Sequence, residues 1–183
     1  LFLTTDNEII LTHDVNTSFT CDKALEVKES SLAQLKDLWV VRNNSGLEFP
    51  EEEWQRLATL DEMFEAFKDT DLCFLLEFKD TRPEAVIRTK EVVEEYGMQG
   101  RCVALSKAPS TLNTFVEQMP EMKLALLDEN NNGLLPKTDT DSGIINVMEH
   151  LGPYNAYLNT KYDLYGRSAG RTMLIRGLSI TCW

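Results

Sequence analysis

The sequence predicts an α/β protein whose parallel strands are joined by helical crossovers. Three observations carry this. From residue 59 onward helical and strand-like runs alternate, the order expected of parallel strands with helices on the sheet faces. The strand-like runs are about 4–6 residues long, the usual length in such domains. One of them, FLLEFK (74–79), is apolar on one face and passes from apolar to charged along the other. An open doubly wound sheet and a (β/α)8 barrel both satisfy the alternation. No G-x-G-x-x-G or G-x-x-x-x-G-K-[ST] segment occurs, which removes the usual nucleotide-binding support for the open sheet. The gradient on FLLEFK fits a barrel, packed below and reactive at its C-terminal mouth. A solvated Glu–Lys pair on an edge strand gives the same spacing.

The elements follow in order. EIILTHD (8–14) is the first clear strand. Residues 15–58 are too long for a plain connection. They are charged, carry Trp39 and Trp54, and hold one short helix, SLAQLKDL (31–38), with leucines to dock it. TLDEMFEAF (59–67) is a helix: Thr59 and Glu62 have capping-box spacing, and Leu60, Met63, Phe64 and Phe67 form a stripe. After FLLEFK comes PEAVIRTKEVVEEYG (83–97), with Pro83 in the first turn and Gly97 as the stop. RCVALS (101–106) is a strand and STLNTFVEQM (110–119) a helix. KLALLD (123–128) is a strand and SGIINVMEHLG (142–152) a helix. AYLN (156–159) is a strand, DLYGRSAGRTMLIRG (163–177) a helix weakened by two glycines, and LSITCW (178–183) the last strand.

Charged residues gather at strand ends. Alternation puts Phe74, Leu76 and Phe78 on one face of FLLEFK, and Cys73, Leu75, Glu77 and Lys79 on the other. His13 ends the strand 8–14, where parallel α/β proteins place their chemistry. A histidine, a carboxylate and a lysine supply a proton-transfer group, a hard oxygen ligand and a fixed cation. Phosphoester hydrolysis uses all three. His150 instead suits a helix C-terminus, where a cation favours the dipole.

Composition narrows the partners. The formal net charge is −12 and the sequence pI about 4.6, which argues against nucleic acid or an anionic membrane as the main partner. No apolar run reaches the 18 or so residues of a membrane span. Cys21, Cys73, Cys102 and Cys182 show no C-x-x-C spacing. That disfavours a zinc or thiol-redox site and leaves buried free thiols as the reading. Localisation is not legible.

At these residues the sequence resembles the glycerophosphodiester phosphodiesterase family. LTTDNEIILTHD (3–14) is similar to its "lT-x-D-g-x-x-V-x-x-HD", LATLDEMFEAF (57–67) to its "ipTLeE" helix, and FLLEFK to its "l-n-i-E-x-K". VALS (103–106) and LSITCW are similar to its "i-S" and "v-x-v-W-T" strands. The resemblance implies an incomplete (β/α)8 TIM barrel, running from the end of strand 2 to most of strand 8, as a single domain over 1–183. Residues 15–58 would be the family's insertion, packed over the barrel mouth. The family's HR and E-x-D motifs would stand before Leu1. Roughly 70 residues of a barrel of about 250 would lie outside the chain, which alone is expected to be inactive and marginally stable. Phe19, Cys21 and Lys107 depart from the family pattern, which bears on substrate more than on reaction.

The implied activity is metal-dependent hydrolysis of a small-molecule glycerophosphodiester to glycerol 3-phosphate and an alcohol. Glu77 would be a ligand to Mg²⁺ or Ca²⁺, between which ligand type does not choose. Lys79 would bind and neutralise a non-bridging phosphate oxygen, and His13 would act as general acid or base. Trp183 would line the glycerol end of the pocket or pack the barrel mouth. Two alternatives are a related barrel phospholipase of the D or C type and a degenerate barrel that binds without catalysis. The first predicts an apolar rim on the loops, and the presence of His13, Glu77 and Lys79 argues against the second.

Overall fold

The computed structural model describes residues 1–128, 157–160 and 180–182. They fall into two compact units, Leu1–Leu72 with Lys79–Gln99, and Cys73–Phe78 with Gly100–Trp183.

The first unit begins with an antiparallel hairpin. β1 (Phe2–Leu3) pairs with β2 (Ile9–Ile10) in the register Phe2↔Ile10 and Leu3↔Ile9. Asn7 makes its turn at φ 64, a left-handed position that asparagine tolerates. The Thr4 hydroxyl donates to Asp6 and accepts from the Glu8 N–H. The strand predicted over 8–14 is thus only two residues long. Beyond Ile10 the backbone turns to another partner: Ile10 bridges Thr59, and the Leu11 N–H donates to the Ala58 carbonyl.

Residues 15–58 fold around their own core. Cys21 bridges Val40, Val40 bridges Gln55, and Arg42 bridges Glu48 across a turn at Gly46 (φ 85). The short helix α1 (Leu32–Lys36) starts with a Ser31–Gln34 capping box. Leu35 and Leu38 are fully buried, with Val27, Cys21 and Leu57, against Phe2 and Ile10 of the hairpin. The leucine docking read from 31–38 is therefore present.

α2 (Leu60–Phe67) and α3 (Pro83–Glu95) complete this unit. Thr59 and Glu62 form the expected reciprocal capping box. Of the predicted stripe, Leu60 and Phe64 are buried, whereas Phe67 is 41% exposed. Pro83 begins α3, and Gly97 follows it at φ 65, the left-handed geometry that ends helices.

The second unit is a five-stranded parallel sheet. Its strands are β3 (Phe74–Phe78), β4 (Cys102–Ser106), β5 (Lys123–Asp128), β6 (Tyr157–Thr160) and β7 (Ile180–Cys182). They lie in chain order. A doubly wound sheet reverses its order at a switch point; these strands do not reverse, which is the order of a barrel wall. β6 and β7 pair directly. α4 (Pro109–Gln118) packs on β4 and β5, and Phe115 meets Phe78 edge to face at 4.8 Å. On the opposite face Leu105, Ala125 and Leu127 form a second apolar cluster with Val103.

Cys21 and Cys102 are buried free thiols, whereas Cys73 is exposed. It stands just ahead of β3, where no sheet pairing encloses it. The helices predicted at 142–152 and 163–177, His150 and Trp183 lie outside the described residues.

Candidate active site

His13 stands in the bend that follows β2, beyond the end of the paired strand. Its Nδ1 lies 2.8 Å from Oδ1 of Asp14, and its Nε2 lies 2.8 Å from Nζ of Lys79. These contacts fix the hydrogen positions. An ammonium has only donors and an ionised carboxylate only acceptors. Nδ1–H therefore donates to Asp14, and the Nε2 lone pair accepts from Lys79. The imidazole lies half exposed between the two, Nδ1 towards Asp14 and Nε2 towards Lys79. Two of the residues singled out in the sequence thus meet directly.

A fully buried carboxylate fixes the segment that carries Lys79. Asp80 follows it immediately and has no exposure. Its carboxylate accepts the N–H groups of Leu3 and Arg82, each at 3.1 Å, and the Arg82 guanidinium at 2.6–3.2 Å. Lys28 Nζ lies 3.5 Å away. The Asp80 N–H donates to the Leu1 carbonyl. Burial alone would push this carboxyl up, but the hydrogen bonds from Arg82 and Leu3 and the Arg82 charge hold it down at about 2. The clamp joins β1 to the Lys79 segment, and β1 pairs with the strand that leads to His13.

His13 also lines a cavity of about 930 Å³ in the first unit, together with Thr12, Arg42, Phe49, Gln55 and Arg56. Arg56 stacks on the Trp39 ring at 3.4 Å. The Trp54 indole N–H donates to the Phe49 carbonyl.

Glu77 lies in the second unit, next to last in β3, paired in register with Leu105, which pairs with Ala125. This is the C-terminal end of a parallel strand on the face of the second apolar cluster. Among the described residues no three His, Cys, Asp or Glu side chains cluster to hold a metal ion. Glu77 supplies one hard oxygen donor. A Mg²⁺ ion that keeps several waters and is held by one or two carboxylates and a substrate phosphate accepts such a donor, whereas an all-protein Ca²⁺ cage of six to eight oxygens needs more.

Sequence reasoning did not single out Asp14, Asp80 or Arg42. Asp14 was visible in the HD pair. Asp80 looks like a turn residue, and the alternating pattern carries no sign of its burial.

The family model described as "Glycerophosphoryl diester phosphodiesterase family" matches residues 1–132. The chain belongs to that family, and with it to the phosphoric diester hydrolases. Solved structures share its fold. One is an Oleispira antarctica phosphodiesterase in complex with the product sn-glycerol-3-phosphate (TM-score 0.79, 17% identity, covering 99% of this chain and 69% of that one). Another is a Galdieria sulphuraria protein provisionally assigned as a glycerophosphodiester phosphodiesterase (TM-score 0.79, 22% identity, covering 100% and 69%). A third is a glycerophosphodiester phosphodiesterase of Parabacteroides distasonis (TM-score 0.66, 20% identity, covering 100% and 67%). No curated protein matches the chain. Among the described residues no helix is long and apolar enough to cross a membrane.

Proposed function

We propose that this protein hydrolyses glycerophosphodiesters to glycerol 3-phosphate and an alcohol, with His13 and Lys79 at the reacting phosphate. The observation that carries the proposal is the row Asp14–His13–Lys79, with 2.8 Å on either side of the imidazole. The product seen with the Oleispira antarctica phosphodiesterase supports the same substrate class.

The row suggests an order of events. In the free protein Nε2 is covered by Lys79 Nζ. A phosphodiester brings oxygens that attract the ammonium more strongly than a neutral imidazole does. Lys79 then neutralises a non-bridging oxygen, and Nε2 becomes available. The imidazole takes a proton from the attacking water as the water oxygen bonds to phosphorus and the P–O bond to the alcohol breaks, and the imidazolium then gives that proton to the departing alcohol oxygen. Asp14 holds Nδ1–H throughout, so the ring keeps its orientation and its positive charge is stabilised when it forms. A divalent metal, Mg²⁺ or Ca²⁺, would add charge stabilisation at the phosphate when bound, with Glu77 as one of its oxygen donors. Trp183 is proposed for the glycerol end of the pocket.

The test is release of glycerol 3-phosphate from glycerophosphodiesters by the natural protein, before and after chelation. Metal-dependent release is expected. Absence of glycerol 3-phosphate with the metal restored would overturn the assignment.

A further inference from the structure

The cavity that His13 lines has a volume of about 930 Å³ and reaches residues with no part in the proposed reaction. Its far wall comes from the segment 40–58, which the reaction proposed above does not use.

Arg42 stands out on that wall. Its Nε is buried and has no hydrogen-bond partner. Among the described residues no ion pair engages its guanidinium, not even with Glu48, its partner across the bridge. Glu52 and Glu53 line the same cavity, and both are exposed. A buried guanidinium N–H without an acceptor costs free energy that a matching acceptor would recover. The backbone at this position is fixed: the Arg42 and Val41 N–H groups both donate to the Thr20 carbonyl, and the Phe49 N–H donates back to Val41. The second cation on this wall, Arg56, is already engaged by the Trp39 ring.

We infer that Arg42 is a specificity-determining residue that binds a carboxylate carried by the alcohol part of the substrate. The inference rests on the phosphodiesterase reading. Lys79 already supplies the cation for the phosphate, beside His13. A carboxylate matches the planar guanidinium with two parallel hydrogen bonds. Glu52 and Glu53 suit an ammonium group next to that carboxylate, as in an amino-acid alcohol.

The experiment compares glycerophosphoserine with glycerophosphoethanolamine, which differ by one carboxylate. The ratio of their kcat/KM values is measured for the natural protein, Arg42→Gln and Arg42→Lys, each checked for an unchanged melting profile. The ratio should fall about 10–100-fold in Arg42→Gln, the size expected of a charge-assisted pair, and recover in part in Arg42→Lys. An unchanged ratio overturns the inference, and if both substrates also fall equally, Arg42 acts on the phosphodiester itself. If the natural protein turns over neither ester, the reaction assignment fails, and calorimetric binding of glycerophosphoserine decides separately. Binding lost in Arg42→Gln supports the subsite; equal binding by both proteins overturns it.

Discussion

Nζ of Lys79 and Nε2 of His13, 66 residues apart in the chain, are 2.8 Å apart in space. The donor inventory makes this a cation donating to a lone pair. In the proposed reaction this contact is a resting arrangement, in which the base is covered by the group that would bind the phosphate.

His13→Ala should lower turnover by about 10²–10⁴ and leave metal affinity nearly unchanged. Steady-state kinetics and metal titration on the same preparation check this. Turnover near that of the natural protein would return His13 to a surface residue.

Lys79→Met should lower turnover by about 10²–10³, the loss seen when one fixed donor to a developing oxyanion is removed. It also uncovers Nε2, so a protein in which Lys79 served only to block the base would gain activity. The sign of the change in kcat separates the two roles.

Asp14→Ala should act through the ring it orients. Losing a partner of this kind typically costs roughly 10–100-fold. The loss should appear in kcat with KM little changed, because Asp14 holds Nδ1 and not substrate. A change confined to KM would place Asp14 on the substrate instead.

Glu77→Gln should weaken metal binding and activity together while the fold stands, because the amide keeps one oxygen but loses the charge. Unchanged affinity in a metal titration would remove Glu77 from the ligand set.

What the sequence disclosed follows the range of each interaction. The Thr59–Glu62 capping box and the Pro83 start of α3 are local, set by residues at most three apart, and both were legible. So was the placement of Glu77 near the end of β3, since strand periodicity is also local, whereas His13 stands in a bend past the end of β2. The contact between His13 and Lys79 was not, because nothing in either segment encodes the other. Strand length was overread at 8–14, where β2 stops after two residues because its next backbone bonds go to Ala58 and Thr59. Phe67 obeys the helical stripe yet is exposed; periodicity gives a face, and only packing decides how far that face is covered.

Asp80 gives the clearest dependence on pH. Its carboxyl titrates at about 2 in the folded protein, below the ordinary value near 3.9. Ionised Asp80 therefore contributes stability that is fully present above about pH 4. That contribution is lost as pH falls through the folded value near 2, and its size is on the order of 2 kcal/mol. Asp80→Asn removes it and leaves the buried end of Arg82 without its counter-charge, so the variant should be less stable at neutral pH by more than this amount. Urea midpoints of both proteins between pH 7 and pH 2 check the sign. The gap should be constant above about pH 5 and narrow between pH 4 and pH 2, as the natural protein loses what the variant never had. A gap that widens on acidification would mean that Asp80 is protonated in the folded state and that Arg82 is held by other groups. Because the Leu3 N–H and the Lys79 segment meet at this carboxylate, the variant should also lose turnover at neutral pH through displacement of Lys79. Arg82→Lys, which keeps a cation but not the forked contact, should fall between the two proteins in both stability and rate.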